Sequence, residues 1–193
     1  MPLTPSQKRK VAELREISKI ACIDFWNVEN SNDDNSVKDV VLDLAKDRII
    51  RADVVFSYVL IDELLSSLIC QHFFRTNTTL GRSWRSEWKK ARFQNFNYHV
   101  LEGMSLLRKL ALVKEFLNVP KDIEDIISRT NIIRNALAHS FFPMNKKEFR
   151  KSGIATYKGK DIFSLEGLRV FDADTNKAVG FLSNRAHGAP DYP

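Results

Sequence analysis

Cysteine, proline and glycine are all scarce in this sequence: two, six and seven among 193 residues. Cys22 and Cys70 lie far apart, each on an apolar stretch, and read as small buried hydrophobes. A disulfide scaffold or a thiolate zinc site would need more cysteines at closer spacing. The four histidines (His72, His99, His139, His187) are scattered, without an i, i+4 pair or an HExxH motif, so neither a metal site nor a cofactor is expected. A long uninterrupted apolar run is also missing. The most apolar stretch, 54–74, carries Asp62 and Glu63 at its centre, which is costly in a bilayer but ordinary at the polar edge of a bundle helix. MPLTPSQKRK lacks the apolar run of a signal peptide. The expectation is a soluble, cytoplasmic protein without a membrane segment.

What is present points to helices. Hydrophobic residues make up 44% and charged residues 28%, a globular composition. The length suits one domain with a real core, or one domain with an appendage. Periodic apolar residues predict a first helix over 6–29, capped by Ser6. The polar stretch 30–36 is a loop. Residues 37–74 contain no Gly or Pro and suit one long helix or two collinear ones. Residues 75–83 break the pattern. Helical signal returns over 84–118, with an interruption at Gly103, and Pro120 sits near the start of a further helix reaching about Ser140, before Pro143. Beyond Pro143 the character changes, and five of the seven glycines fall there. IATYKGKDIF reads as a small hairpin around a Lys-Gly turn. Over 164–182 the signals conflict: Leu165, Leu168, Phe171, Ala178 and Leu182 suit a helix, while Gly167, Gly180 and a DTNK turn argue for strands. Helix is the preferred reading. His187 belongs to a tail predicted to be disordered. The fold class is therefore all-α, with a helical bundle over 1–143 and a small C-terminal extension over 144–193.

The net charge of +6 permits a polyanionic partner, and its distribution says more. Six basic residues (Arg75, Arg82, Arg85, Lys89, Lys90, Arg92) face one acidic residue, Glu87, between 75 and 92. Trp84, Trp88, Phe93 and Phe96 are interleaved. The segment reads either as an RNA groove, with Arg82, Arg85, Lys89, Lys90 and Arg92 on phosphates and a tryptophan stacked on a base, or as an amphipathic helix whose tryptophans pack as a pair.

The segment NIIRNALAHSFFP (131–143) holds the candidate chemistry. With Asn131 at zero on a helical wheel, Ile123, Ile126, Thr130, Ile133 and Leu137 cluster between roughly 200° and 280° and form the core face. Arg134 falls at about 300°, Ala138 at about 340°, Asn135 at about 40° and His139 at about 80°. Asn131, Arg134, Asn135 and His139 thus make one polar strip with a small residue in its middle. The plain alternative is a solvated face with a histidine placed well against the helix dipole.

The spacing Arg134-Asn135-x-x-x-His139 resembles the R-x4–6-H motif of the HEPN superfamily, in which a polar residue commonly follows the arginine. The Val119-Pro120-Lys121 restart, the apolar helix and the nearby Pro143 extend the resemblance to roughly 37–143. It implies an up-down bundle of four or five helices that pairs as a homodimer, with the motifs meeting across a two-fold interface. Many such domains are endoribonucleases that need no metal, among them toxins and anti-phage effectors. In that reading His139 is the acid/base residue, since histidine titrates near neutrality. Arg134 is the phosphate clamp, through its fork of donors, and Asn135 orients. Cleavage leaves a 2′,3′-cyclic phosphate, and an antitoxin or regulatory protein partner is compatible. One toxin subgroup carries Tyr two residues after the histidine, where this chain has Phe141. A second set, resembling the mannitol operon repressor family, also reads IRNxxAH and consists of regulators or interaction modules, so a non-catalytic module is the alternative reading.

Asp62 and Glu63 read either as carboxylates that orient Arg134 or His139 from a neighbouring helix or, preferably, as a structural ion pair or solvated face. Arg51 and Asp53 are similar and say less. His72 and His99 read as packing histidines.

Overall fold

The computed structural model describes residues 34–74, 90–138, 149 and 154–187, with a few isolated positions between 5 and 15. Most of the predicted first helix, residues 30–33 of the loop after it, the loop 75–83 and Cys22 lie outside the described residues, while Asn35 and Ser36, expected in the loop, are already helical. The chain divides into two units, one ending at Asp53 and one beginning at Val54. The described residues are mostly helical, with one small two-stranded antiparallel sheet. No helix among them is long and apolar enough to cross a membrane.

Helix α1 spans Asn35–Phe74, a run without Gly or Pro that favours one continuous helix. Its start is set by Asp34, whose carbonyl accepts hydrogen bonds from the backbone N–H groups of Val37 and Lys38, both at 3.0 Å. In the first unit Arg51 pairs with Asp47 at 2.6 Å, one helical turn away. In the second unit α1 buries Ile61, Leu65, Leu68 and Ile69.

Helix α2 (Ala91–Phe96) begins after Lys90 and runs directly into a π-helical turn, Asn97–Leu101. The wider turn closes with the Glu102 N–H bonded to the Asn97 carbonyl, five residues back, at 2.9 Å. Such turns accommodate one extra residue, and here it carries Tyr98 and His99 out to solvent. His99, read from the sequence as a packing histidine, is instead exposed, edge-on to Tyr98 at 4.9 Å. His72 does pack, stacked on Phe116 at 4.0 Å. Residues around Gly103 interrupt the helix as expected, and α3 follows over Leu106–Lys114. Helix α4 spans Lys121–Ala138. Pro120 stands just ahead of it, its carbonyl accepting from Glu124 N–H at 3.0 Å, and Asp122 and Glu124 oppose the positive end of the helix dipole.

The conflicting signals beyond 143 resolve into a hairpin and a helix. Strands β1 (Thr156–Tyr157) and β2 (Lys160–Asp161) pair antiparallel, with Tyr157 opposite Lys160. Lys158 (φ 47°) and Gly159 (φ 79°) both lie in the left-handed region, as a two-residue hairpin turn of this kind requires. Helix α5 spans Leu165–His187. Ser164 caps it: its hydroxyl accepts from the Gly167 N–H at 3.0 Å and donates to the Asp161 carbonyl at 2.7 Å. The hairpin is fastened to α5 by Tyr157, which is buried edge-on to Phe171 and donates to Asp174 at 2.9 Å. Lys158 reaches the same carboxylate at 2.6 Å. Helix α5 is no loose appendage: Ala178, Leu182 and Ala186 share one core with Leu65, Ile69, Leu110, Val113, Ile123 and Ile127. The Gln71 side chain also donates to the Ala186 carbonyl at 2.7 Å, satisfying an acceptor at the end of α5.

The two glycines that argued for strands have different physical standing. A methyl group on Gly167 would sit 1.9 Å from the Asp161 carbonyl oxygen, whereas one on Gly180 would meet nothing within 4 Å. Gly167→Ala should therefore force the hairpin off the helix start and lower the thermal midpoint by several degrees. Gly180→Ala should raise it by roughly 2–4 °C, from helix propensity worth about 1 kcal/mol. Thermal unfolding followed by circular dichroism checks both, and equal effects at the two sites would refute the close approach.

Burial pushes the Cys70 thiol up to about 12, against the pull of Lys109. A raised value stabilises the fold fully below the unfolded thiol's range, and this contribution fades as pH climbs from about 9 toward 12. In a Cys22→Ser background, Cys70 should stay silent toward a disulfide reagent at pH 8 until the chain is unfolded.

Candidate functional site

The helical wheel of α4 holds in three dimensions. Ile123, Ile126, Thr130, Ile133 and Leu137 are all buried, while Asn131 and Arg134 are half-buried and Asn135 and Ala138 exposed. The polar strip thus runs along the rim of the core, with Arg134 at the boundary. His139, the other half of the motif, lies outside the described residues, as do Arg82, Trp84, Arg85, Trp88, Lys89 and Phe141. Of the basic segment, Lys90 and Arg92 are described. Both are exposed, and the Arg92 guanidinium lies over the Phe74 ring, 5.5 Å from its centroid.

Arg134 is held in an unusual way for an arginine at a core boundary. Its guanidinium lies over the Tyr58 ring, 4.6 Å from the centroid, within the range of a favourable cation–π contact. One terminal nitrogen donates to the Asn135 side-chain oxygen at 3.0 Å. The Nε atom is buried and meets no acceptor among the described residues. Among the described residues no carboxylate pairs with it. An arginine here retains most of its donors, and a planar donor fork beside an apolar wall suits a phosphate or carboxylate oxygen pair.

The acid on the Tyr58 face of α1 is engaged elsewhere. Asp62 stands one helical turn beyond Tyr58 on α1, yet its carboxylate accepts a hydrogen bond from the Lys109 ammonium at 2.6 Å. Lys109 is buried, with 4% of its side chain exposed against 24% for Asp62. Burial, with a contribution from Asp62, pushes the Tyr58 phenol above its ordinary value, while Arg134 and the Leu106 backbone N–H pull it down. Glu63, adjacent to Asp62, is exposed.

Two members of this cluster went unread in the sequence. Tyr58 looks like one more apolar residue of a long helix. Lys109 left a usable signal: on α3 it falls on the same side as Leu106, Leu110 and Val113, which are all buried. A lysine on an apolar stripe implies a buried partner, because an unpaired buried ammonium is costly.

No protein-family model matches the chain, nor does any curated protein or solved structure.

Removing one partner of a buried ion pair strands the other charge, whereas replacing both is often near neutral. Asp62→Asn should therefore destabilise the protein by about 3 kcal/mol, the low end for buried pairs because the carboxylate is partly hydrated. Asp62→Leu/Lys109→Met should lie within about 1 kcal/mol of the wild type in urea denaturation.

Proposed function

We propose that this chain is a HEPN-type RNA-binding protein that acts as a homodimeric, metal-independent endoribonuclease of the toxin or anti-phage defence kind. The observation that carries the reading is the state of Arg134: a guanidinium at the core boundary, held by an aromatic face and one asparagine, with no carboxylate on it among the described residues. A structural arginine in this position would ordinarily be neutralised by an acid. One that is positioned but not neutralised is ready for an anion from outside the protomer. In this reading Arg134 clamps the scissile phosphate and Asn135 orients the guanidinium. His139 moves the proton from the 2′-hydroxyl and supplies one to the leaving 5′-oxygen, the second copy in the dimer allowing both roles. Exposed Lys90 and Arg92, with Arg82, Arg85 and Lys89, would hold flanking phosphates.

One observation favours a second reading, a non-catalytic HEPN-like module for regulation or partner binding. Arg134 is half-buried, with its Nε covered and its ring partner in the same protomer, as a residue that braces the helix end would be.

Cleavage of a labelled single-stranded RNA pool in EDTA separates the two. The ribonuclease reading expects product ends carrying 2′,3′-cyclic phosphate, and losses of roughly 10²-fold or more in Arg134→Ala and His139→Ala. Both variants must keep the wild-type circular dichroism spectrum. Absence of cutting by the wild type, or equal cutting by all three, assigns the motif to the regulatory module.

A further inference from the structure

Tyr58, Asp62, Lys109 and Arg134 come from three helices and carry a feature that the ribonuclease reading does not by itself require. Tyr58 and Asp62 are spaced i, i+4 on α1, so they project from the same face with roughly 5–6 Å between their Cβ atoms. Arg134 lies over Tyr58. Asp62 is thus a carboxylate on the same face of α1 as the ring that Arg134 covers, and it does not pair with Arg134. Its Oδ2 takes the Lys109 ammonium at 2.6 Å instead. Both charges make themselves felt at the phenol between them, the carboxylate raising its proton affinity and the guanidinium lowering it.

A buried lysine is a costly way to decorate an apolar helix face. Leucine at 109 would continue the Leu106, Leu110 and Val113 stripe, and it would leave Asp62 without its cation, one turn from the ring that Arg134 covers. Lysine at 109 keeps that carboxylate occupied. The Tyr58 ring meanwhile fixes the plane of the guanidinium without occupying any of its N–H donors, since a π face attracts the cation but takes no hydrogen bond in the plane. Carboxylate sequestered, plane fixed and donors spared are three conditions for an arginine that must receive an oxyanion.

We propose that Lys109 and Tyr58 are positioning residues for an oxyanion site at Arg134, Lys109 by holding the Asp62 carboxylate away from the guanidinium and Tyr58 by orienting it. The inference rests on the reading of Arg134 as a phosphate clamp and names what keeps that clamp open.

The test follows the Arg134 Nε–Hε signal by NMR in ¹⁵N-arginine-labelled full-length protein, assigned with Arg134→Lys. Binding of a fluorescein-labelled single-stranded RNA is measured by anisotropy on the same samples. In Lys109→Met the signal should shift and its exchange with water slow, as Asp62 turns to Arg134. RNA affinity should fall about tenfold, the loss of one charge-assisted hydrogen bond to phosphate. Asp62→Asn/Lys109→Met should restore both. Lys109→Gln, which keeps a donor toward Asp62 but not the charge, repeats the measurement if the methionine variant fails to fold. It should move the signal in the same direction. Tyr58→Phe should match the wild type, while Tyr58→Leu should broaden the signal and weaken binding. An Arg134 signal unmoved by both Lys109 substitutions, or a shift that the double variant does not reverse, overturns the proposal. A wild type that binds no RNA, with the signal behaving as described, removes the RNA reading and leaves the positioning roles intact.

Discussion

The arrangement of the second unit turns on a charge problem at the rim of its core. Helices α1, α3 and α4 bury apolar stripes against one another, and burial of that kind is the main favourable term in folding. The stripes are not purely apolar. Lys109 falls within one and Asp62 borders another, and each would be unfavourable in that setting alone. Their direct pairing at 2.6 Å satisfies both and ties α1 to α3 at one defined place. An ion pair of this kind adds little net stability over a hydrophobic replacement. What it does is restrict which partner each neighbouring charge can find.

Arg134 has no such carboxylate partner among the described residues. Its guanidinium is held by an aromatic ring and a neighbouring amide, and it lies between the buried and exposed faces of α4. That position decides what the side chain can do. Deeper in, it would need a full complement of acceptors; further out, its orientation would be averaged by rotation about its long stem. At the rim, stacked on Tyr58, it is oriented and still partly exposed.

The C-terminal residues contribute to this frame and do not merely trail it. Helix α5 supplies Ala178, Leu182 and Ala186 to the core, and its first turn can pass the hairpin only because Gly167 has no Cβ to meet the Asp161 carbonyl. Tyr157 and Lys158 converge on Asp174 and hold the hairpin against the helix. The glycine that looked like a strand signal is the condition for helix and hairpin to coexist.

Local order was legible from residue types alone. The uninterrupted run 37–74, the break at Gly103, the restart at Pro120, the Lys-Gly hairpin turn and the core face of α4 all follow from backbone propensity and 3.6-residue periodicity, which act within one or two turns of chain. Asn131, Arg134, Asn135 and Ala138 were legible as a strip beside that face, for the same reason. Periodicity did not disclose the π-helical turn that exposes His99, because one added residue changes the register without changing composition. Nor could it assign partners. That Asp62 would take Lys109, 47 positions away, and that Arg134 would lie over Tyr58 are pairings made only by packing. Sequence determined which faces each helix would bury; tertiary structure decided which charges would meet on the rim, because Coulomb and stacking energies depend on distances that exist only once the helices have docked.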